Sequence, residues 1–208
     1  VAQASITKLD LALMLDVSGS MGGHKLEDLK SAAKSAAAKL ITPRTGDRVR
    51  IGFDSYANAV NAGAYADDVL PAGAASTCAT ERAGMQAWSD HGPAIGSWLG
   101  NDTSHCPSSG VLPLTSDLDV FNTAIDSLSA GGTTAGHIGV AWAWYLVSPA
   151  WKDVWPASAE PLPYGSSDTK KAVILMTDGQ FNTHYKPSLG DSNQQAKKMC
   201  KKMRDKRI

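Results

Sequence analysis

The sequence predicts an open, doubly wound, mostly parallel α/β sheet with helices on both faces, on three observations. Two short, almost wholly apolar runs, residues 9–16 and 171–177, each lead into an acid and a tight loop, as buried parallel strands do. Stretches of helical period alternate with the strand-like runs. The chain has 208 residues, 43% of them hydrophobic, which suits one domain with its own core.

Taken in order, residues 9–16 end in Asp16 and then Ser-Gly-Ser-Met-Gly-Gly, a strand running into a turn. A helix follows over residues 25–41, where Leu26, Leu29, Ala33, Ala36, Ala37 and Leu40 recur at three- and four-residue steps. Pro43 and Gly46 end it. Residues 47–57 alternate, with Val49, Ile51 and Phe53 on one side, the period of a half-buried strand. Residues 61–110 are rich in Gly, Ala, Ser, Pro and Asp without sustained period, which predicts an elaborated surface insertion with one short helix.

Ser116 and Asp119 have capping-box spacing, and Phe121, Ile125 and Leu128 then follow at helical steps up to Gly131-Gly132. Residues 136–147 are apolar almost all round, as a helix buried between neighbours must be, and Pro149 closes them. The run 171–177 is read as a second buried strand, and residues 192–207 as a polar helix. In open α/β sheets ligands bind beyond the carboxyl ends of the strands, so the loops at residues 16–23 and 178–182 should flank one crevice.

Charge narrows the partners. The tail, residues 196–208, takes seven of the 20 Lys/Arg and one of the 20 Asp/Glu, so the remainder holds 13 basic against 19 acidic residues, net −6. An acidic body repels phosphate backbones, which argues against nucleic acid and for cations. No apolar run approaches the roughly 20 residues of a membrane-spanning helix, so no membrane span is expected. Residues 1–14 lack the pattern of an export signal, so any signal or anchor is expected to lie outside the chain or to have been removed. The three cysteines have no C-x-x-C spacing, which excludes a zinc knuckle or a thioredoxin-type pair.

Chemistry concentrates at the strand ends. Asp16, Ser18 and Ser20 form D-x-S-x-S, one carboxylate and two hydroxyls in one loop; Asp178 offers a second carboxylate, and Thr133, after Gly131-Gly132, a third hydroxyl. All are hard oxygen donors, the set that suits Mg²⁺, with Mn²⁺ or Ca²⁺ as alternatives. Taken alone, D-x-S-x-S also reads as turn chemistry, with Ser20 capping the helix. Its place at a strand end, with the Gly-Gly-Thr-Thr and Thr-Asp-Gly loops in order behind it, favours the metal.

Those residues carry a resemblance. Leu11-Ala12-Leu13-Met14-Leu15-Asp16-Val17-Ser18-Gly19-Ser20-Met21 resembles the first strand and loop of a von Willebrand factor type A domain, whose metal-ion-dependent adhesion site uses D-x-S-x-S, a threonine and an aspartate; Thr133 and Asp178 match the last two. Leu112-Pro113-Leu114-Thr115-Ser116-Asp117, residues 131–139, Ser148-Pro149-Ala150-Trp151 and residues 175–179 are similar to TadG-like proteins of bacterial tight-adherence (Flp) pilus systems. The likeness spans nearly the whole chain and implies one Rossmann-like type A domain, residues 1–208, with an insertion at 61–110. It implies a Mg²⁺ site of Asp16, Ser18, Ser20, Thr133 and Asp178 with an open position for a partner's acidic side chain, pilus or cell-envelope partners, an extracytoplasmic location at a bacterial surface, and no enzymatic activity. It further implies an anchor and a last sheet strand outside the chain, so the sequence reads as a fragment or a shortened relative. In an exported chain the odd cysteine count predicts a Cys78–Cys106 disulfide within the insertion, and the resemblance implies a partner for Cys200 beyond residue 208.

Other readings compete. Ser18-Gly19-Ser20-Met21-Gly22 nearly makes a nucleophile elbow, so a serine hydrolase with Ser20 as nucleophile and His137 or His184 as base is the enzyme alternative, although the first glycine is missing. Residues 19–25 lack the Gly-Lys-Ser/Thr of a phosphate loop. His24, His137 and His184 are read as solvated loop histidines, and Trp142, Trp144, Tyr145 and Trp151 as core rather than a sugar platform. The basic tail reads as the solvated face of an amphipathic helix, and the Asn101-Asp102-Thr103 sequon is discounted because the family the chain resembles is bacterial.

Overall fold

The computed structural model describes residues 7–208; residues 1–6, part of the stretch without an export-signal pattern, lie outside the described residues. The apolar run beginning at Leu11 makes β1 (Lys8–Asp16), buried from Asp10 onward because it runs down the middle of the sheet. It pairs in parallel with β2 (Val49–Tyr56) on one side and β6 (Thr169–Met176) on the other. Beyond β2 lie short antiparallel strands. β5 (Leu112–Thr115) pairs with Ile51 and Phe53, β3 (Val60–Asn61) with Tyr56, and β4 (Cys78–Ala79) with β3. The order is β4-β3-β2-β1-β6 with β5 beside β2. The long ladders are parallel, as expected, and the short ones make the sheet mixed.

Alternation along β1 sends Leu11, Leu13 and Leu15 to one face, where α1 (His24–Leu40) and α3 (Leu118–Asp126) cover them through Leu26, Leu29, Phe121 and Ile125. Ala12 and Met14 point to the other, under α4 (Gly136–Val147) and α5 (Ser192–Asp205). Every residue of α4 except Ala141 is buried, which confirms the all-round apolar reading. Gly139 is what lets α4 lie so close: a Cβ there would come within 2.6 Å of the Tyr56 ring and 2.9 Å of Met14 Cε. Trp142, Trp144, Tyr145 and Trp151 are each at most 1% exposed, with Tyr145 and Trp151 stacked at 3.9 Å between centroids, so they are core. Each such burial contributes about 1.5–3 kcal/mol.

Several expectations are corrected. α3 is capped by Asp117, whose carboxylate accepts from the N–H groups of Asp119 and Val120; Ser116 donates instead to Asp47 Oδ1 at 2.9 Å, and the helix closes at Asp126. β2 is not half-buried. It has ladder partners on both edges and a helix layer on each face, so even Asp54 is fully buried. β6, expected to be buried, leaves Ile174 and Leu175 about 45% exposed, because β1 is its one ladder partner among the described residues. The insertion includes the short helix α2 (Ala66–Val69), but it is more than a surface elaboration: Ala79, Thr80, Glu81, Arg82 and Leu99 are buried, part of them against α4. His137 is no solvated loop residue either, being 1% exposed in the first turn of α4, whereas His24 is exposed. Cys78 and Cys106 form the disulfide, and Cys200 on α5 is a free thiol. Among the described residues no helix is long and apolar enough to cross a membrane.

Candidate metal centre

The carboxyl end of β1 delivers Asp16 to a junction of three loops. Its side chain is wholly buried, and both oxygens are used: Oδ1 accepts from the Ser18 N–H at 2.8 Å, closing the turn, and Oδ2 accepts from Thr177 Oγ1 at 2.8 Å. One carboxylate therefore ties the end of β1 to the end of β6. Next to it, Ser18 Oγ lies 3.2 Å from Ser20 Oγ, and Ser20 Oγ donates to Asp178 Oδ1 at 2.8 Å. Asp16, Ser18, Ser20 and Asp178 thus form one hydrogen-bonded set, although Ser20 and Asp178 are 158 residues apart in sequence.

Thr133 is brought alongside through its backbone. Gly131 N–H donates to Val17 O at 2.8 Å and Gly19 N–H to Gly132 O at 2.9 Å, stitching the Gly-Gly-Thr-Thr loop to D-x-S-x-S. A Cβ on Gly132, at φ +80°, would lie 2.0 Å from Asn58 Oδ1, so only glycine permits this approach. Asn58 Oδ1 in turn accepts from the Thr133 N–H at 3.0 Å. The Thr133 hydroxyl does not bond to the other four side chains; Thr183 Oγ1 donates to it at 2.6 Å. Asn182 and Thr183 lock the loop after Asp178 onto Thr134 through its N–H and carbonyl.

Electrostatics at the site are set by three residues absent from the motif. Lys25, in the first turn of α1, places its ammonium on Asp178 Oδ2; that contact and the Ser20 hydroxyl hold the Asp178 carboxyl below its usual range. Tyr56, the register partner of Asp16 on β2, is buried with its hydroxyl unpaired among the described residues; burial first, then the Asp16 charge, push its pKa far up, so it stays a neutral phenol. Asp54, two residues before it on the same face, has both carboxyl oxygens unpaired among the described residues, and burial raises its pKa well above the ordinary value.

The donors fit a hard divalent ion. They are two carboxylates and three hydroxyls, without sulfur or imidazole, the hard oxygen set that such an ion prefers. Residues the sequence did not single out are Thr177, Asn58, Thr183, Lys25 and Tyr56. Their only sequence signal is adjacency to a strand end or to the first turn of α1.

Comparison with protein-family models finds no match, and comparison with curated proteins finds none either. Among solved structures, the chain is similar to the vWF domain of the type V pili tip protein Mfa5 from Porphyromonas gingivalis, at 16% identity and TM-score 0.48, over 85% of this chain and 39% of that one. It is also similar to the pilus adhesin SpaC from Lactobacillus rhamnosus GG in its open conformation, at 19% identity and TM-score 0.41, over 85% and 15%. A third is the pilus adhesin RrgA from Streptococcus pneumoniae, at 13% identity and TM-score 0.45, over 88% and 23%. The chain thus spans about two fifths or less of these proteins, and likeness at this level assigns it neither family nor function.

Proposed function

We propose that the chain is a von Willebrand factor type A module, of the TadG-like kind found in tight-adherence pilus systems, that works outside the cytoplasm as a non-enzymatic adhesion or assembly domain. Asp16, Ser18, Ser20, Thr133 and Asp178 would hold a Mg²⁺ ion, with Mn²⁺ or Ca²⁺ as substitutes. When bound, the ion would supply a Lewis-acidic position for one oxygen of a partner's acidic side chain. The observation that carries this reading is the hydrogen-bonded set Ser18–Ser20–Asp178, oxygen donors of distant loops gathered where the parallel strands end. Three loops contribute at most five side-chain donors, one fewer than an octahedral ion takes.

Each residue has a task. Thr177 and the Ser18 N–H orient the Asp16 carboxylate; Ser20 orients Asp178; Asn58 and Gly132 set the height of the Thr133 loop. Burial favours the uncharged forms of Tyr56 and Asp54 beneath the site, so Asp16 and Asp178 are the two carboxylates that would face the ion and leave it electrophilic toward a third. The hydrolase alternative lacks support in the geometry: Ser20 Oγ bonds to Ser18 and Asp178, His137 is turned to Ser192 and Glu81, and among the described residues neither His137 nor His184 bonds to Ser20.

Titration calorimetry with Mg²⁺ tests the proposal. Asp16→Asn keeps the shape, an acceptor for the Ser18 N–H and an amide N–H that the Thr177 hydroxyl can accept, so it should fold, and it should lose Mg²⁺ binding; Asp178→Ala and Thr133→Ala should weaken it. Mg²⁺ binding retained in Asp16→Asn would sink the assignment.

A further inference from the structure

Immediately beside the candidate metal centre lies a groove of about 530 Å³, within the size range of small-ligand pockets. One wall is the insertion segment 104–108; the other is the loop 129–132 that leads into Thr133, with Asn58 between them. Both walls are fixed in place. Cys106 is bonded to Cys78, and Asn61 Nδ2 donates to the carbonyls of Pro107 at 3.0 Å and Ser108 at 3.3 Å. Ser108 and Ser129 close one end of the groove with a hydroxyl pair at 3.2 Å, and Ser109 Oγ donates to Ser127 O at 3.0 Å just behind it. The second wall is continuous with the metal loops, since Gly131 and Gly132 make the backbone bonds to Val17 and Gly19.

The lining decides the occupant. It contains no Lys, Arg, Asp or Glu; its polar groups are the hydroxyls of Ser104, Ser108 and Ser129 and the Asn58 amide, with His105 exposed at the rim. Such a wall offers neutral hydrogen bonds to a peptide backbone and no countercharge to a buried ionic side chain. The geometry points to this groove as the subsite that reads the residues next to the partner's acidic side chain: an extended stretch of uncharged residues lies between segments 104–108 and 129–132 while the acid reaches the ion. This inference rests on the metal reading of the site, and it assigns ligand selection to the insertion rather than to the five donors.

The experiment uses amide-resolved NMR of the whole chain with Mg²⁺ and three blocked pentapeptides, in which a central Asp is flanked by Ala, by Lys or by Glu; an Ala-flanked Asn peptide is the control. The Ala-flanked Asp peptide should shift amides of residues 104–108 and 129–132 in Mg²⁺ but not in EDTA, and the Asn peptide should not. Both the Lys- and the Glu-flanked peptides should bind about tenfold more weakly, since neither charge finds a partner in the groove. Ser104→Trp, which fills the groove, should weaken the Ala-flanked peptide about tenfold with Mg²⁺ affinity unchanged. Shifts confined to residues 16–20, 133 and 178, equal binding by Ser104→Trp, or a charged peptide as tight as the Ala-flanked one would overturn the subsite while leaving the metal reading intact. Absence of any Mg²⁺-induced shift at residues 16–20, 133 and 178 would overturn both.

Discussion

Lys25→Met should raise Mg²⁺ affinity. The Lys25 ammonium sits on Asp178 Oδ2, so an incoming ion must share or displace it. The magnitude follows from two contributions. The Lys25 side chain is 58% exposed, and an ion pair so open to water is worth about 0.2–1 kcal/mol, which the variant no longer spends. Removing a unit positive charge roughly 6 Å from a divalent ion, in water-like dielectric with physiological screening, adds about 0.5–1 kcal/mol. Together they give about 1–2 kcal/mol, a rise of about 5- to 30-fold in affinity. Methionine keeps most of the apolar stem, so the fold should be unaffected. Calorimetry at low and at high salt is the assay: the gain should be largest at low salt and shrink as salt rises, while Lys25→Arg should show none. Equal or weaker Mg²⁺ binding by Lys25→Met would refute the reasoning, because the ammonium would then not be competing for Asp178.

Two further outcomes concern the supports of the site. Burial alone would raise the Glu81 pKa, but the His137 side chain and the Tyr185 N–H outweigh it and hold the carboxyl at about 2, against an ordinary value of 4.5. A depressed folded pKa means that this stabilisation is present above pH 4.5 and lost as the pH falls through 2; Glu81→Gln should therefore flatten the loss of stability between those values, and urea melts showing the same slope in both proteins would contradict it. Replacing Cys78 and Cys106 by Ser frees two positions separated by 28 residues, which should cost about 3–4 kcal/mol in thermal or urea unfolding if the cross-link acts by restricting the unfolded chain; a loss below about 1 kcal/mol would show that it does not.

What the sequence made legible was whatever depends on neighbours along the chain. The apolar run of β1, the all-round apolar α4 and the oxygen donors at strand ends each follow from local pattern, and they stand where that pattern puts them. What it hid depends on distant partners. Residues 171–176 look like a buried strand because burial and apolarity usually coincide, yet among the described residues β6 has β1 as its one ladder partner, and Ile174 and Leu175 are half open. Glu81 and Arg82 read as polar surface; Glu81 is buried because His137 and the N–H groups of Tyr185 and Lys186, more than fifty residues away, receive it. Within the candidate site, the motif pointed to Asp16, Ser18, Ser20, Thr133 and Asp178 but not to Lys25 on Asp178 or Thr177 on Asp16, contacts that exist only once β1 and β6 lie side by side.

The central claim, that these loops bind a divalent ion, is tested most directly by a crystal structure of the chain grown with Mn²⁺ and recorded at an energy where manganese scatters anomalously. One strong anomalous peak should appear among the side-chain oxygens of Asp16, Ser18, Ser20, Thr133 and Asp178, with Lys25 swung away from Asp178 and at least one ligand position taken by a water or a neighbouring carboxylate. A fully ordered site with Lys25 still on Asp178 and no peak at millimolar Mn²⁺, or a peak held by other residues, would contradict it.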